Sequence, residues 1–309
     1  MTVDIALATY NGERYISEML DSIANQTHQD FLIHLRDDGS KDNTITICEN
    51  HKLYQEGRLK IYRDKETNLG ASNNFLRILK KCKADYVFLC DQDDFWMEDK
   101  ISKMLEEIKK NEYRNGSKKP SLVFSDLMIV DSSLDLVAAS FYKSSMKSSD
   151  CRSPFDFLLS NHIPGCSMVF NKELLSSIYP IPDDFRMHDW WIAFIASYYG
   201  GVFYLNNPLI KYRQHDTNTI GAPGMESTLL GNIKSIKNFA SLKRKALSIK
   251  MGMKNHVINV PPKNIISNES EDFYRFLTEG MTINEKNKKF KKMKTGEYAI
   301  LSYLVWMSL

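Results

Sequence analysis

"ADYVFLCDQDDFW", residues Ala84–Trp96, runs from an apolar stretch into three carboxylates, Asp91, Asp93 and Asp94, and returns at once to aromatic side chains. Its apolar part is short and ends at the acids, so it reads as a strand. One residue separates Asp91 from Asp93. Like charges that close resist ionising together unless something positive lies between them. Two carboxylates at i and i+2 on a strand end can both reach one hard cation, which takes oxygen ligands. A divalent ion held there would clamp a diphosphate and stabilise charge on a departing phosphate. The competing reading is an acidic helix start, with Asp94 capping "FWMEDKISKML". A cap needs one acid only, which leaves Asp91 and Asp93 for the ion.

Upstream, strand and helix signals alternate. "VDIALATY" is a first strand, and "ERYISEMLDSIANQ" spaces Ile16, Met19, Leu20 and Ile23 as one face of a helix. "FLIHLRDDGS" and "LKIYRD" read as strands two and three. Between them "DNTITICENH" reads as a helix, and "ASNNFLRILKKC" as another that begins near Ser72. Repeats of this length predict an α/β fold with a mostly parallel sheet and right-handed crossovers. Ligands bind outside the carboxyl ends of such strands. Thr9-Tyr10-Asn11, Asp37-Asp38-Gly39-Ser40 and Asp91-Gln92-Asp93-Asp94 all fall at that edge.

Downstream, "SLVFSDLMIVD" predicts a further strand, "HDWWIAFIASYYG" a buried helix, and Ser227 to Met253 a helix through Leu230, Ile233, Ile236 and Leu242. The expected organisation is a main domain over 1–224, with a nucleotide-binding half at about 1–100 and an acceptor half at about 101–224. A helical C-terminal appendage covers 225–309.

At 309 residues the chain can bury a large core. Its net charge of +3 argues against a nucleic-acid binder driven by bulk charge. Cys48, Cys82, Cys90, Cys151 and Cys166 form no C-x-x-C pair and read as reduced thiols. The N-terminus lacks the pattern of a signal peptide, and no run of about 18 apolar residues occurs. The expected location is cytoplasmic, peripheral at the inner face of the plasma membrane.

"ATYNGERYISEMLDSIANQT", "DDGSKDNT", "NLGASNNF", "DQDDFWMEDK", "HDWW" and "YRQHDTNTIG" occur in this order. As a set they resemble a family 2 glycosyltransferase with the GT-A Rossmann-like fold, and most closely its bacterial rhamnosyltransferase-like members. The resemblance covers about residues 2–224. It implies an inverting, Mn²⁺- or Mg²⁺-dependent transfer of a sugar, L-rhamnose from dTDP-rhamnose, to a lipid-linked or growing cell-surface polysaccharide. A UDP-galactose or UDP-glucose donor is the alternative.

The resemblance implies a nucleotide pocket of Ala8, Thr9, Tyr10, Asn11, Glu13, Asp38, Asn68, Gly70, Asn74, Asp91 and Gln92. Asp38 would accept the N3–H of uracil or thymine, which an ionised carboxylate can do. Its bland reading is a turn, for which one Asp of "DDGS" suffices. Asp94, His188, Trp190 and Arg213 would face sugar or acceptor. Asp93, Asp91 and His215 would hold the metal. Asp189 would deprotonate the acceptor hydroxyl, its apolar neighbours raising its pKa; the bland reading is a helix cap. A sugar nucleotidyltransferase should carry a Gly-rich, basic loop after the first strand, which "ATYNGERY" lacks, and a non-catalytic module would need no Asp189. Finally, "NEKNKKFKKMKTGEYAILSYLVWMSL" either lies in an anionic membrane interface or packs back on the domain.

Overall fold

The computed structural model describes residues 2–115, 119–145, 147–182, 187–215, 231–259, 268–293, 303 and 306–309; of 231–242 and 245 it describes the helical backbone alone. The first part alternates as β1 (Val3–Thr9), α1 (Ile16–Ala24), β2 (Phe31–Asp37), α2 (Thr44–Asn50), α3 (Lys52–Gln55), β3 (Leu59–Tyr62), α4 (Gly70–Leu79) and β4 (Tyr86–Cys90). Next come β5 (Phe95–Trp96), α5 (Lys100–Asn115), β6 (Leu122–Val130), β7 (Leu136–Ala138) and α6 (Phe141–Ser144). After a single 3-10 turn at Gly165–Ser167 follow β8 (Met168–Asn171), α7 (Lys172–Ser177), α8 (His188–Tyr198) and β9 (Val202–Arg213). The C-terminal part is α9 (Gly231–Asn259), α10 (Asn268–Thr278) and α11 (Ile283–Phe290).

The strands form one sheet in the order β3-β2-β1-β4-β8-β6-β9-β5, with β7 on β6. β3, β2, β1 and β4 are parallel neighbours, so each is reached by a crossover through a helix. β8, β7 and β5 run against their neighbours, and β6 pairs in parallel with β9. The apolar stripe of α1 (Ile16, Met19, Leu20 and Ile23) is fully buried on one face of the sheet, with Met104 and Ile108 of α5 in the same cluster. On the other face lie Phe75 and Ile78 of α4 and Trp191, Phe194 and Ile195 of α8.

One feature departs from the expectations of the sequence, and another follows one of its two alternatives. Phe95 and Trp96 do not begin a helix. They form a two-residue strand against Lys211 and Ile210, Met97 N–H donates to Leu209 O at 3.0 Å, and the helix waits until Lys100. Staying extended is what carries the Trp96 indole into full burial, so Asp94 caps no helix. The C-terminal segment also packs back on the core. Trp306 is fully buried, lies 4.9 Å from the Phe276 ring, and donates from Nε1 to Lys286 O at 2.9 Å. Ile249, Met253 and Val257 of α9 join the same cluster as Trp191 and Leu89, so the C-terminal helices share the main core. Of the residues expected on the first turns of α9, Leu230 lies outside the described residues, as do the side chains of Ile233, Ile236 and Leu242. No helix among the described residues is long and apolar enough to cross a membrane.

Because Trp306 sits in a shared core, Trp306→Ala should lower the unfolding free energy by about 3–5 kcal/mol. Denaturant titration measures this, and a loss under about 1 kcal/mol would mean that the C-terminal helices do not support the sheet.

Candidate active site

The carboxyl ends of β1, β2 and β4 are laced together by side chains. Gln92 grips Tyr10 from both sides: its Oε1 accepts from Tyr10 N–H at 2.8 Å and its Nε2 donates to Tyr10 O at 3.0 Å. A Cβ at Gly12 would come within 2.4 Å of that Oε1, so the clasp requires glycine there. Asn11, in the left-handed region at φ 47°, receives a hydrogen bond from Lys41 N–H at 2.9 Å and donates its own N–H to Ser40 Oγ at 2.8 Å. Glu13 accepts from both Asn43 N–H and Asn43 Nδ2, each at 2.9 Å, which ties it to the entry of α2. The Tyr10 ring is 46% exposed and free to stack; Ala8 is half-buried beside it.

The two aspartates of "DDGS" divide their work. Asp37 builds the turn, accepting from Gly39 N–H at 3.0 Å, Ser40 N–H at 2.7 Å and Thr9 Oγ1 at 2.8 Å. Asp38 is buried, and its two oxygens accept from Leu69 N–H at 2.9 Å and Gly70 N–H at 2.8 Å. Oδ1 also accepts from Arg36 at 3.4 Å, so it is Oδ2 that keeps a second lone pair for a base N–H. Asn68 N–H donates to Asp38 O at 3.0 Å, and Asn68 and Gly70 both take positive φ, so the loop wraps around Asp38. Arg36, which the sequence did not single out, braces this arrangement from beneath. It is 2% exposed and donates to both oxygens of Asp64 and to Asn74 Oδ1 at 2.8 Å. Asn74, expected to contact the ligand, is itself buried, with its amide turned to Arg36 O at 3.0 Å; it is a structural tie.

The acidic segment after β4 carries an excess of negative charge. Burial first, then the charges of Asp93 and Asp189, pushes Asp91 up to about 7. Burial, then Asp93 and Asp91, drives Asp94 well above the usual carboxylate range. Two buried cations stand behind these acids. Lys100 is fully buried, donates to Cys166 O at 2.8 Å, sits 3.3 Å over the Trp96 ring, and is pushed down to about 8 by burial. Arg213, expected to face sugar or acceptor, has every nitrogen engaged elsewhere. Nε donates to Asp93 O at 2.8 Å, one terminal nitrogen to Ser132 O at 2.6 Å, and the other to Glu18 Oε2 at 2.6 Å. Its guanidinium is the scaffold of the acidic segment, so a ligand contact is not where it sits. Its backbone N–H meets Asp94 Oδ1 at 3.3 Å. Asp94, expected on the sugar side, is 1% exposed beneath the segment.

His215 reaches Asp93, with Nε2 2.9 Å from Oδ2, and packs 4.9 Å from the Tyr15 ring. Carboxylate and imidazole donors together suit Mn²⁺, and carboxylates alone suit Mg²⁺. A second cluster, Asp91, Asp94 and Cys166, is also compact. There the buried thiol is pushed up and donates to the Asp94 carboxylate, so it remains protonated and is no ligand for a hard ion. Asp93 and His215 are in contact with one another, whereas Asp91 forms no compact group with both of them among the described residues.

Asp189 lies in the first turn of α8; Met187 precedes the helix, so Asp189 is not its cap. It is 8% exposed, and burial raises it to about 6 despite hydrogen bonds from Trp190 N–H, Asn161 and Gly165 N–H. A Cβ at Gly165 would lie 3.2 Å from the Asp189 Cβ, which explains the glycine. Trp190 is half-buried and donates from Nε1 to Phe157 O at 2.7 Å, while Trp191 is core. His188 is buried, stacked 4.1 Å from the Phe75 ring, and pushed down to about 3 by burial, so it stays neutral. Asp189 and the acidic segment thus feel each other's charge at one sheet edge.

Residues 4–115 match the family model for glycosyl transferase family 2. The chain is 31% identical over 227 residues to the dTDP-rhamnosyl transferase RfbG of Shigella flexneri, covering 70% of this chain and 74% of that protein. Among solved structures it is similar to S. aureus TarS 1-349 in complex with UDP-GlcNAc, with a TM-score of 0.55 and 15% identity, covering 100% of this chain and 90% of that one. It is also similar to the mannosyltransferase PcManGT from Pyrobaculum calidifontis in complex with GDP-Man and Mn²⁺, with a TM-score of 0.52 and 13% identity, covering 99% and 85% respectively. The chain belongs to glycosyltransferase family 2 and has the fold of the GT-A enzymes.

Burial of Asp91 has a consequence for stability. With its folded pKa near 7 and an unfolded value near 3.8, the native state holds the proton more tightly between those values. Stability without a divalent ion is therefore lost as pH rises through that window. Asp91→Asn removes the charge. In chelator, the variant should melt about 2–4 °C above the parent at pH 8, and the gap should close toward pH 5. Scanning calorimetry reads both; a pH-independent gap contradicts the assignment.

Proposed function

We propose that this glycosyltransferase moves L-rhamnose from dTDP-rhamnose, with inversion, onto a lipid-linked or growing cell-surface polysaccharide. The observation that carries the chemistry is a buried, raised carboxylate, Asp189, close enough to act on Asp91, which in turn feels the charge of Asp93 in its pair with His215. The 31% identity to a protein named as a dTDP-rhamnosyl transferase supports the donor.

In this reading the pyrimidine lies between the exposed Tyr10 ring and the Asp38 carboxylate, which accepts its N3–H. Asp93 and His215, with Asp91 beside them, would hold a divalent ion, which would supply positive charge to neutralise the diphosphate leaving group. Asp189 accepts the acceptor hydroxyl's proton as that oxygen attacks the anomeric carbon on the face opposite the diphosphate. A base near pKa 6 is ionised at neutral pH yet still basic enough to take the proton. Attack from the opposite face inverts the centre, so a β-L-rhamnosyl donor gives an α-L-rhamnoside.

Asp189→Asn should lower kcat by about 10²-fold or more with KM for the donor little changed. The parent's kcat should rise with pH through about 6 and then level, since the unprotonated carboxylate is the active form. A fully active variant would remove Asp189 from this role. The donor is tested by nucleoside diphosphate release with Mn²⁺ across dTDP-rhamnose, UDP-hexoses and UDP-N-acetylhexosamines. Turnover of a UDP-hexose without turnover of dTDP-rhamnose would replace the donor and leave the base assignment intact. Release of pyrophosphate instead would indicate a nucleotidyltransferase.

A further inference from the structure

Helix α9 contains seven Lys or Arg residues and no Asp or Glu over Gly231–Asn259. Its inner face is apolar and committed: Ala246, Ile249, Met253 and Val257 are buried. Its outer face is also apolar in part. Leu247, Met251 and Ile258 are 36%, 63% and 45% exposed, and their spacing of four and seven residues puts them on one line. Arg244 and Asn255 continue that exposed line, and Lys243, Lys250 and Lys254 are half-buried along one flank. Lys250 donates to Leu309 O at 2.6 Å, and Lys286 of α11 and Lys254 help burial push it down, so the basic groups of two helices gather beside the apolar line. Two of the acids of α10 are paired with a lysine of α11: Lys289 lies 2.8 Å from both Glu269 and Asp272.

We propose that the outer face of α9 is a docking surface for an anionic lipid bilayer. Apolar side chains standing along a helix, flanked by long cationic side chains, are what a membrane interface takes: the first enter the acyl boundary and the second reach the phosphates. The line from Leu247 to Ile258 spans about 16 Å without a groove, which suits a planar surface. It is too sparse to form the buried centre of a stable protein interface. A second copy of this chain is disfavoured, because two-fold pairing would set one lysine-rich face against another. Trp306 is not part of that contact, since it is buried in the core. The proposal deepens the reading of a lipid-linked acceptor, but it is measured without turnover.

The test is co-sedimentation of the full chain with phosphatidylglycerol-containing vesicles and with phosphatidylcholine vesicles. Binding should be about tenfold or more tighter to the anionic vesicles and should weaken as salt rises. Leu247→Asp with Met251→Asp, both at exposed positions, should reduce binding about tenfold or more, with the melting temperature and nucleoside diphosphate release unchanged. Lys243→Glu with Lys254→Glu should abolish the preference for anionic vesicles while leaving the fold intact. Absence of binding to anionic vesicles at low salt would overturn the proposal. So would loss of dimer in light scattering on Leu247→Asp, which would assign the line to self-association. If no sugar nucleotide turned over yet vesicles bound, the functional reading alone would fall.

Discussion

Four carboxylates share the edge where β4 ends, and burial raises three of them, Asp91, Asp94 and Asp189. Asp91, Asp93 and Asp94 are consecutive or nearly so, and Asp189 adds its charge from α8. Buried charge is tolerated only when paired or bound to an ion. Much of the surrounding structure answers that constraint. Arg213 leaves β9 to brace the backbone of Asp93 while its own N–H meets Asp94, and Lys100 is buried outright beneath the segment. The two-residue strand β5 pairs with β9, so the acids and the residues supporting them share one edge. Two cations against four acids leave negative charge that a divalent cation would balance, and the Asp93–His215 pair offers donors that suit such an ion better than the thiol-containing cluster nearby.

Much of this edge was legible in the sequence because strand ends announce themselves. Apolar runs stop at polar clusters, and parallel crossovers bring those clusters together whatever lies between them. The acid pair stood out for the same reason, whereas Asp189 and His215 were singled out by the resemblance of "HDWW" and "YRQHDTNTIG" to family motifs. What stayed hidden was support. Arg36, Lys100 and Arg213 are buried, yet their letters are those of surface residues, and only the fold says which cations are enclosed. Asn74 and Arg213 looked like ligand contacts because polar residues near a site resemble one another until their partners are known. Strand β5 was missed because its partner lies more than a hundred residues away, and a local pattern cannot report that. Asp37 and Asp38 were separable only once Gly39 and Ser40 had closed the turn on the first of them.

The C-terminal region illustrates another limit. A lysine-rich run beside an apolar terminus fits an interface and a core equally well. The structure buries Trp306 and gives α9 two apolar sides, one packed and one exposed. Periodicity alone could not have assigned those sides, because a helix that is apolar in two directions shows little net moment.

Two separate anchors hold the donor set and the base. β9 carries Arg213 and leads to His215, so it fixes Asp93 from two directions. The 3-10 turn at Gly165–Ser167 fixes Asp189 through the Gly165 N–H, and Lys100 joins that turn to α5 by its bond to Cys166 O. Lys100 is therefore the mechanical link between the acidic segment and the base, as well as part of its charge balance. Asp189 ionises at about 6 and Asp91 at about 7, so the charge on Asp189 is already present when Asp91 titrates and, after burial and Asp93, helps hold Asp91 up. The two halves of the edge are thus coupled through charge as well as through the buried lysine.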